Sequence, residues 1–297
     1  MANQPPLLSV VVPVYNRAHI VASTLASIAA QTYRPFEVIV VDNNSTDGSL
    51  GAVMQWQGAA LSADMPVRVL QCPKPGASAA RNMGLEAVRT EWVMFFDSDD
   101  LMDAHHIAMV ADAIAKTPAA DIIGWDTTHA DADGRIRTGR FFGHNMQRHN
   151  LFDGAMATQR WCARTSLVRQ AVGWNESVGY WDDIELGARM LVLNPSIAYI
   201  GKSGVTVRAT PGSISGTRAD NPARIEPALA AIEATLGTSG RDACLAKRAI
   251  EYALCTRAGN PAGARAMKAL QAPLWLKAIY HYTRLGGRGA GRFVRLK

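Results

Sequence analysis

The sequence predicts an α/β fold, in which a mostly parallel, doubly wound sheet precedes a C-terminal helical extension. In the first 120 residues, short apolar runs alternate four times with helical patterns. This alternation is typical of parallel strands joined by right-handed crossover helices. Beyond residue 222 the chain is rich in alanine, and its apolar residues recur at helical spacing. A sheet-forming part is therefore expected to be followed by a purely helical part.

The first four strands are predicted from short, mainly apolar runs, and the first of them is typical of a strand buried on both faces. These strands are Leu7–Val12, Phe36–Val41, Val67–Leu70 and Trp92–Phe96. Amphipathic spacing predicts the helices that follow them at residues 20–28, 49–60, 77–88 and 103–116. Asn16 is expected to cap the first helix.

The pattern changes after Asp121. The dipeptide Asp133-Gly134 predicts a hairpin turn between strands at Asp121–Thr127 and Arg135–Phe142. Residues 143–163 favour no element. The remaining predictions are helices at Ser166–Ala171 and Ile184–Leu193, strands at Ile197–Ile200 and Val205–Arg208, a loop at 209–222, and helices at about 223–236, 241–257, 262–271 and 274–285.

Polar side chains are predicted at the carboxyl ends of the strands, where ligands of open α/β sheets bind. The pair Asp97 and Asp99 suits a divalent cation that bridges diphosphate oxygens, although capping of the next helix is the alternative. Asp42 suits a hydrogen bond from a base or ribose, or an Asx turn. Asp47, followed by Gly48, is interpreted as turn and cap chemistry.

Two helix starts carry further charged residues. Arg81 lies near free N–H groups at the start of a helix, which suits an anion such as a diphosphate, although a solvated helix face is the alternative. Asp182, Asp183 and Glu185 begin another helix, where they complement the helix dipole or supply a general base. The preceding Tyr180 and Trp181 would form a platform for a sugar ring.

Five segments in order, VVPVYN, VDNNSTDGS, PGASAARNMGL, FFDSDD and WDDIEL, resemble the motifs of the family 2 glycosyltransferases with the GT-A fold. The resemblance covers residues 7–193 and fades after about residue 210. It implies a catalytic domain at 1–210, with a nucleotide-sugar-binding half at 7–120 and an acceptor-binding half at 121–210. The helical extension with its basic tail is expected at 211–297.

The resemblance also implies a reaction. The sugar of a nucleoside diphosphate sugar, with UDP favoured, would pass with inversion to a hydroxyl of a saccharide or lipid-linked saccharide in polysaccharide biosynthesis. Mn²⁺ or Mg²⁺ would be the cofactor of this reaction. Processive members carry a Gln-x-x-Arg-Trp motif, but Gln159-Arg160-Trp161 lacks its spacer, so a single addition is expected.

Position by position, the resemblance assigns the nucleotide-sugar site to Pro13, Val14, Tyr15, Asn16, Asp42, Arg81, Asp97 and Ser98. The metal would be held by Asp97 and Asp99, and the acceptor would be contacted by Trp181 and Asp182. Asp183 would be the catalytic base. The family has Glu-Asp where this chain has Asp182-Asp183, so a shift by one residue, or a role for Glu185, is the alternative.

Two other functions are considered. A sugar nucleotidyltransferase would be expected to carry a Gly-rich loop after the first strand, but PVYNRAH contains no glycine. A non-catalytic nucleotide-sugar-binding protein would be expected to have lost its carboxylates, but Asp97, Asp99 and Asp183 are present.

Charge and cysteine content indicate which partners the protein is expected to bind and where in the cell it is expected to act. The net charge is +6, from 31 basic and 25 acidic residues, and the segment from Leu274 onward holds six cations and no carboxylate. A neutral body argues against nucleic-acid binding, whereas the tail would pack on the core or contact an anionic membrane. The four cysteines form no CxxC pair, and no apolar run is long enough to span a membrane, so a cytoplasmic protein is expected. His105 and His106 are expected at the surface.

Overall fold

A computed structural model describes residues 5–62, 65–130, 133, 135–210 and 221–293. These residues form a nine-stranded mixed sheet with helices on both faces, joined to a helical C-terminal part. The sheet has the order β3 (Val67–Gln71), β2 (Glu37–Asp42), β1 (Leu8–Val14), β4 (Trp92–Phe95), β8 (Trp161–Arg164), β6 (Ile122–Ala130), β9 (Ile197–Arg208) and β5 (Leu101–Met102), and β7 (Ile136–Gly139) pairs with β6.

The first half is parallel, as predicted. Its strands are β1 (Leu8–Val14), β2 (Glu37–Asp42), β3 (Val67–Gln71) and β4 (Trp92–Phe95), joined by helices α1 (Val21–Ala29), α2 (Ser49–Ser62) and α3 (Ala77–Ala87). Alternate residues of β1 enter opposite cores: Val10 and Val12 face one side, and Val11 faces the other. Burial on both faces explains why this strand is apolar at every position except Ser9.

The second half differs from its prediction at several strands. Its elements are β5 (Leu101–Met102), α4 (His106–Lys116), β6 (Ile122–Ala130), β7 (Ile136–Gly139), α5 (Met146–Asp153), β8 (Trp161–Arg164), α6 (Thr165–Gln170), α7 (Asp182–Leu191) and β9 (Ile197–Arg208). The hairpin is confirmed as β6 and β7, while Gly134 of its turn lies outside the described residues. The two short strands predicted after α7 are one strand, β9.

Strand β8 had no sequence signal, because it is only four residues long and follows a 3₁₀ turn. It nevertheless lies in the middle of the sheet, antiparallel to both β4 and β6. Strand β8 connects the two halves of the sheet, because the parallel half ends at β4 and the second half begins at β8. The sheet is therefore mixed, and only its first half is purely parallel.

The C-terminal part is helical, as predicted. It contains α8 (Glu226–Arg257), α9 (Ala262–Ala269) and α10 (Leu274–Arg284). Gly237 interrupts α8 with φ 60° and ψ −147°, a conformation that glycine adopts at low cost. A third apolar core joins Ile184 of α7 to Leu229 and Tyr252 of α8 and Tyr280 of α10. The extension is thus packed against the helix that begins at Asp182.

Two local predictions are wrong. Asn16 does not cap α1, which begins at Val21 after a turn; instead its backbone is left-handed, with φ 49°. His106 is fully buried, although His105 is exposed as predicted. Helix α4 turns His106 inward, where its ring meets the Trp125 ring edge-on at 4.6 Å. Burial lowers the pKa of His106 to about 3, so the ring is neutral.

None of the helices in the described ranges is long and apolar enough to cross a bilayer.

Two helical glycines provide a matched test of the packing. Helix α3 lies close to β1 at Gly84, where an added Cβ would lie 2.3 Å from Val11 Cγ1. A Cβ on Gly51 of α2 would meet nothing within 4 Å. We expect Gly84→Ala to lower the free energy of unfolding by about 1–3 kcal/mol through overpacking. Gly51→Ala should raise it by up to about 1 kcal/mol through helix propensity. Urea unfolding monitored by circular dichroism would measure both changes, and equal effects would contradict the close helix–strand contact.

Candidate active site

The loops after β1 and β2 are hydrogen-bonded to each other. The Asn16 backbone N–H donates to Ser45 Oγ at 3.1 Å, and Asn16 Oδ1 accepts from the Thr46 N–H at 2.8 Å. Asp47 Oδ1 accepts from the Ser49 N–H at 3.0 Å, which is the turn and cap role expected of it. These bonds fix the two loops side by side at the carboxyl edge of the sheet.

Of the residues assigned to the nucleotide pocket in the first motif, two have no accessible side chain. Pro13 and Val14 are buried within β1, opposite Val41 and Asp42 of β2. Tyr15, the next residue, is exposed. A ligand at this edge would therefore meet the ring of Tyr15 and the polar loop, but not the side chain of Val14.

Asp42 has an unsatisfied buried oxygen. Its Oδ2 accepts from the Ser45 N–H at 3.2 Å, whereas Oδ1 is buried and has no hydrogen-bond partner among the described residues. Buried polar atoms almost always have a partner, because leaving one unpaired costs about 1–3 kcal/mol. An N–H group of a bound ligand would supply that partner.

Asn43 links the end of β2 to the start of α3. Its side-chain amide donates to the carbonyls of Cys72 and Lys74, at 3.1 and 2.6 Å. Its Oδ1 accepts from the N–H of Gly76 at 2.8 Å. These three bonds hold the loop before α3 and the N-cap of α3, the helix that carries Arg81.

Arg81 joins the two acidic motifs. One terminal guanidinium nitrogen, Nη2, lies 2.8 Å from Asp97 Oδ1, and the other, Nη1, lies 2.8 Å from Asp182 Oδ2. The guanidinium also lies over the Trp174 ring, at 4.3 Å from its centroid. Arg81 is buried. Burial by itself would lower the pKa of Arg81, but the Asp97 and Asp182 carboxylates outweigh burial and raise it above its ordinary value.

The acidic turn after β4 presents its carboxylates unequally. The Asp97 side chain is 34% exposed. Asp99 Oδ2 accepts from Thr210 Oγ1 at 2.6 Å and lies 3.6 Å from Arg17 Nη2. Ser98 is buried, and its carbonyl accepts from Thr24 Oγ1 at 3.0 Å. The turn is therefore fixed at its middle residue, and of the carboxylates on either side, that of Asp97 is more exposed than that of Asp99.

The donor set of this turn fits a hard divalent cation only in part. Asp97 and Asp99 offer carboxylate oxygens, which Mg²⁺ and Mn²⁺ prefer. No group of three or more His, Cys, Asp or Glu side chains within the described ranges is arranged to hold a metal. Each carboxylate also has a cationic neighbour already, Arg81 or Arg17. A cation bound here would thus take its remaining ligands from water and from the phosphates of a donor.

Asp100, which the sequence analysis did not assign to the site, is buried and anchors the acidic turn to neighbouring segments. Its Oδ1 accepts from the Arg208 N–H at 2.8 Å, and its Oδ2 accepts from the Gln159 side chain. Burial, together with the neighbouring Asp97 and Asp99, raises the pKa of Asp100 well above its ordinary value. The third carboxylate of FFDSDD was the available signal, but its partner on β9 is 108 residues away in sequence.

The start of α7 places Asp182 and Asp183 in the same cluster. Asp182 Oδ2 accepts from Ser78 Oγ at 3.0 Å as well as from Arg81. Asp183 Oδ1 accepts from the Ile184 N–H at 2.8 Å, and Oδ2 accepts from the Thr158 N–H at 3.3 Å. Burial and the Asp182 carboxylate raise the pKa of Asp183 to about 6, although Arg81 opposes them. Such a carboxylate accepts a proton readily near neutral pH.

Glu185, the alternative base, is engaged elsewhere. It is buried, and Arg189 of the same helix donates to both of its oxygens, at 2.8 and 2.6 Å. Trp181, by contrast, is partly exposed in a left-handed conformation with φ 60° and stacks on Tyr180 at 5.6 Å. The aromatic pair thus borders the carboxylates, as a platform for a ligand would.

Comparison with known proteins identifies the family. The model for "Glycosyl transferase family 2" matches residues 9–170, which is more than half of the chain. The chain belongs to glycosyl transferase family 2. The matched range contains the residues of the cluster up to the acidic turn, and Asp182 and Asp183 lie beyond it.

Several proteins are similar to this chain in sequence. An uncharacterized protein of Sinorhizobium fredii is 30% identical over 80% of this chain and 26% of its own length. Glycosyltransferase GlyG of Streptococcus pneumoniae is 36% identical over 44% of this chain and 42% of its own length. The Escherichia coli enzyme WfgD, a UDP-Glc:α-D-GlcNAc-diphosphoundecaprenol β-1,3-glucosyltransferase, is 28% identical over 40% of this chain and 45% of its own length. The chain therefore spans less than half the length of these relatives.

Two solved structures show the fold. The TarS fragment 1–349 of S. aureus, in complex with UDP-GlcNAc, has a TM-score of 0.67 at 20% identity and covers 93% of this chain and 79% of its own. The mannosyltransferase PcManGT of Pyrobaculum calidifontis, in complex with GDP-Man and Mn²⁺, has a TM-score of 0.56 at 21% identity. The match covers 94% of this chain and 79% of PcManGT. The expected GT-A fold with a C-terminal helical region is thereby confirmed.

The contact between Asp182 and Asp183 predicts a change in ionisation. Since the Asp182 carboxylate raises the pKa of Asp183, we expect Asp182→Asn to lower that pKa below about 6. Carbon-13 NMR titration of the aspartate carboxyl groups would measure the shift. Asp112→Asn, which alters an exposed carboxylate on α4 paired with Lys116, should leave the pKa of Asp183 unchanged. An unchanged Asp183 pKa in Asp182→Asn would show that the Asp182 carboxylate does not contribute to its value.

Proposed function

We propose that this family 2 member is an inverting glycosyltransferase that transfers one sugar from a nucleoside diphosphate sugar to a hydroxyl group of a saccharide acceptor. The observation that carries the proposal is the buried Arg81, which binds Asp97 and Asp182 at once. It brings the carboxylates suited to a donor diphosphate beside the carboxylate suited to a base. A transfer reaction needs both groups in one cleft, because donor and acceptor must be aligned together.

The donor would bind to residues 7–120. The unpartnered Oδ1 of Asp42 suits an N–H group of a base, and the linked loops of Asn16 and Ser45 would hold the nucleoside. A UDP-sugar is favoured, in keeping with the UDP-GlcNAc bound to the structurally similar TarS.

A divalent cation, Mn²⁺ or Mg²⁺, would be held by Asp97 and Asp99 together with the donor phosphates. When bound, it neutralises the negative charge of the departing nucleoside diphosphate. PcManGT, which shares the fold, is known in complex with Mn²⁺. Arg81 keeps Asp97 in position for this role, and Thr210 does the same for Asp99.

Asp183 would act as the base for the acceptor, which would bind to residues 121–210 beside Trp181 and Asp182. Its carboxylate would take the proton of the acceptor hydroxyl as the oxygen attacks the anomeric carbon from the face opposite the leaving group. Direct attack from that face inverts the configuration. The pKa of Asp183, about 6, is high enough for its carboxylate to accept the proton, yet it lies below neutral pH, so the carboxylate is mostly ionised there.

The cysteines suggest where the protein acts, and a related enzyme suggests its class of acceptor. All four cysteines are buried and form no disulfide, which suits a reducing compartment, and we propose that the protein acts in the cytoplasm. A lipid-linked saccharide is the favoured acceptor, as it is for the related WfgD by its name.

The competing possibility is a protein that binds the donor without transferring its sugar. Such a protein would make the same donor contacts, so only a measurement of sugar transfer distinguishes it from the proposed enzyme.

Asp183→Asn tests the base. We expect the rate of sugar transfer to fall by about 10²–10⁴-fold, because general base catalysis contributes that much, while donor affinity is retained. Transfer would be followed by the release of nucleoside diphosphate, and donor affinity by calorimetry. Asp112→Asn on α4 is the matched control and should behave as the wild type. A persistent rate, or a loss of donor affinity together with the rate, would refute the role of Asp183.

A thermal-shift panel tests the donor site. UDP-, GDP- and TDP-sugars would be compared with and without Mn²⁺, using the wild type, Asp99→Ala, Asp42→Ala and the control Asp112→Ala. A ligand at 100 times its dissociation constant adds about 2.7 kcal/mol of stability, which such a scan detects readily. We expect stabilisation by one nucleotide class, dependent on metal, lost in Asp99→Ala and weakened in Asp42→Ala. No shift with any nucleotide sugar would contradict the donor site.

A further inference from the structure

Helix α10 is firmly attached to the protein by one of its faces. Leu276, Tyr280 and Thr283 are buried against the C-terminal core. The Tyr280 hydroxyl also donates to Thr256 Oγ1 of α8 at 3.0 Å. The position of α10 on the molecular surface is therefore defined by packing, and its outward face is defined with it.

The outward face of α10 carries an exposed apolar strip. Leu274 and Leu285 are 83% and 84% exposed, and Trp275 and Tyr282 are also exposed. At about 100° per residue, these four side chains occupy an arc of about 100°, on the side away from the buried residues. Isolated exposed apolar residues are ordinary on protein surfaces, but two leucines and two aromatic residues on one face of one helix indicate a binding surface.

Cations border this strip. Lys277 and Arg284 are exposed along one side of it, and Arg288 follows the helix. The chain has no carboxylate side chain after Glu251, whereas nine Lys and Arg residues follow that position. An apolar strip with a cationic border is complementary to a surface that is apolar inside and anionic at its rim.

We propose that the outward face of α10 binds the surface of a bilayer that contains anionic phospholipid. The helix would lie in the plane of the interface, with Leu274 and Leu285 inserted among the acyl chains. Trp275 and Tyr282 suit the headgroup level, where amphipathic aromatic rings concentrate. Lys277 and Arg284 would meet lipid phosphates.

A second copy of this chain is the less favoured occupant. A two-fold interface brings the same patch of each copy together, so the cations of one α10 would face those of the other without a compensating carboxylate. An anionic bilayer satisfies the charges of the strip and its apolar surface at the same time.

The contact also orients the candidate active site. Helix α8 packs against α10 on one side and against α7 on the other, and Lys247 of α8 lies 4.7 Å from the centroid of the Trp181 ring. Membrane binding through α10 would hold the start of α7 at a fixed distance from the bilayer. Presentation of a lipid-linked saccharide to Asp183 follows only if the proposed function is correct, whereas the membrane contact itself does not depend on it.

Vesicle flotation with the full chain tests the proposal. Vesicles of phosphatidylcholine alone would be compared with vesicles that also contain phosphatidylglycerol. We expect the protein to float only with the anionic vesicles. Lys277→Gln with Arg284→Gln should weaken binding by about fivefold per charge removed, in line with the contribution of a cation near an anionic surface. Leu274→Ser with Leu285→Ser should weaken it by about tenfold or more per leucine.

Matched controls alter equally exposed residues elsewhere. Val172→Ser removes a side chain that is 83% exposed, and Lys116→Gln with Lys202→Gln removes the same charge from other surfaces. These controls should bind as the wild type does. Equal flotation on neutral vesicles, no flotation at all, or equal losses in the controls would overturn the proposal.

Two further measurements separate the outcomes. Light scattering would reveal a second copy on this face: a dimer in the wild type that becomes a monomer in the leucine variant would overturn the proposal. The shift produced by a donor sugar in the thermal panel should be the same in the leucine variant and the wild type. Failure of the membrane contact and failure of the proposed function are thereby distinguishable.

Discussion

The candidate site depends on one buried cation. Arg81 is removed from water, and a buried charge is tolerated only when charged partners and hydrogen bonds compensate its lost hydration. Asp97 and Asp182 supply that compensation from two segments far apart in sequence. Replacing the cation would leave two carboxylates close together beside a third, Asp183. The ion-paired arrangement therefore holds the end of β4 and the start of α7 together as a unit.

The same arrangement sets the ionisation of Asp183. Burial and Asp182 raise its pKa, and Arg81 lowers it, so the value near 6 is a balance between opposing effects. Backbone N–H groups of Thr158 and Ile184 stabilise its ionised form. A base needs a pKa close to the working pH, and the groups that hold the site together also provide that value.

Sequence patterns were most informative where the structure of a segment depends only on its own residues. The apolar run of β1 and the acidic turn after β4 were predicted because each signal lies within a few neighbouring residues. Predictions failed where a distant partner decides. Strand β8 is recognisable only from the strands on either side of it, and His106 is buried because α4 happens to face Trp125 at that turn. Neither fact has a local signature.

The α/β class, the parallel half of the sheet, the order of its polar motifs and the family those motifs resemble all follow from the amino-acid sequence. These properties depend on hydrophobic periodicity and on residue types at short spacing. It took the folded chain to show that Arg81 bridges the two acidic motifs, that Glu185 is engaged by Arg189 and that Asp100 supports the turn from behind. Each of these contacts depends on which side chain faces which. That is fixed by packing between elements, which the periodicity of a single element does not specify.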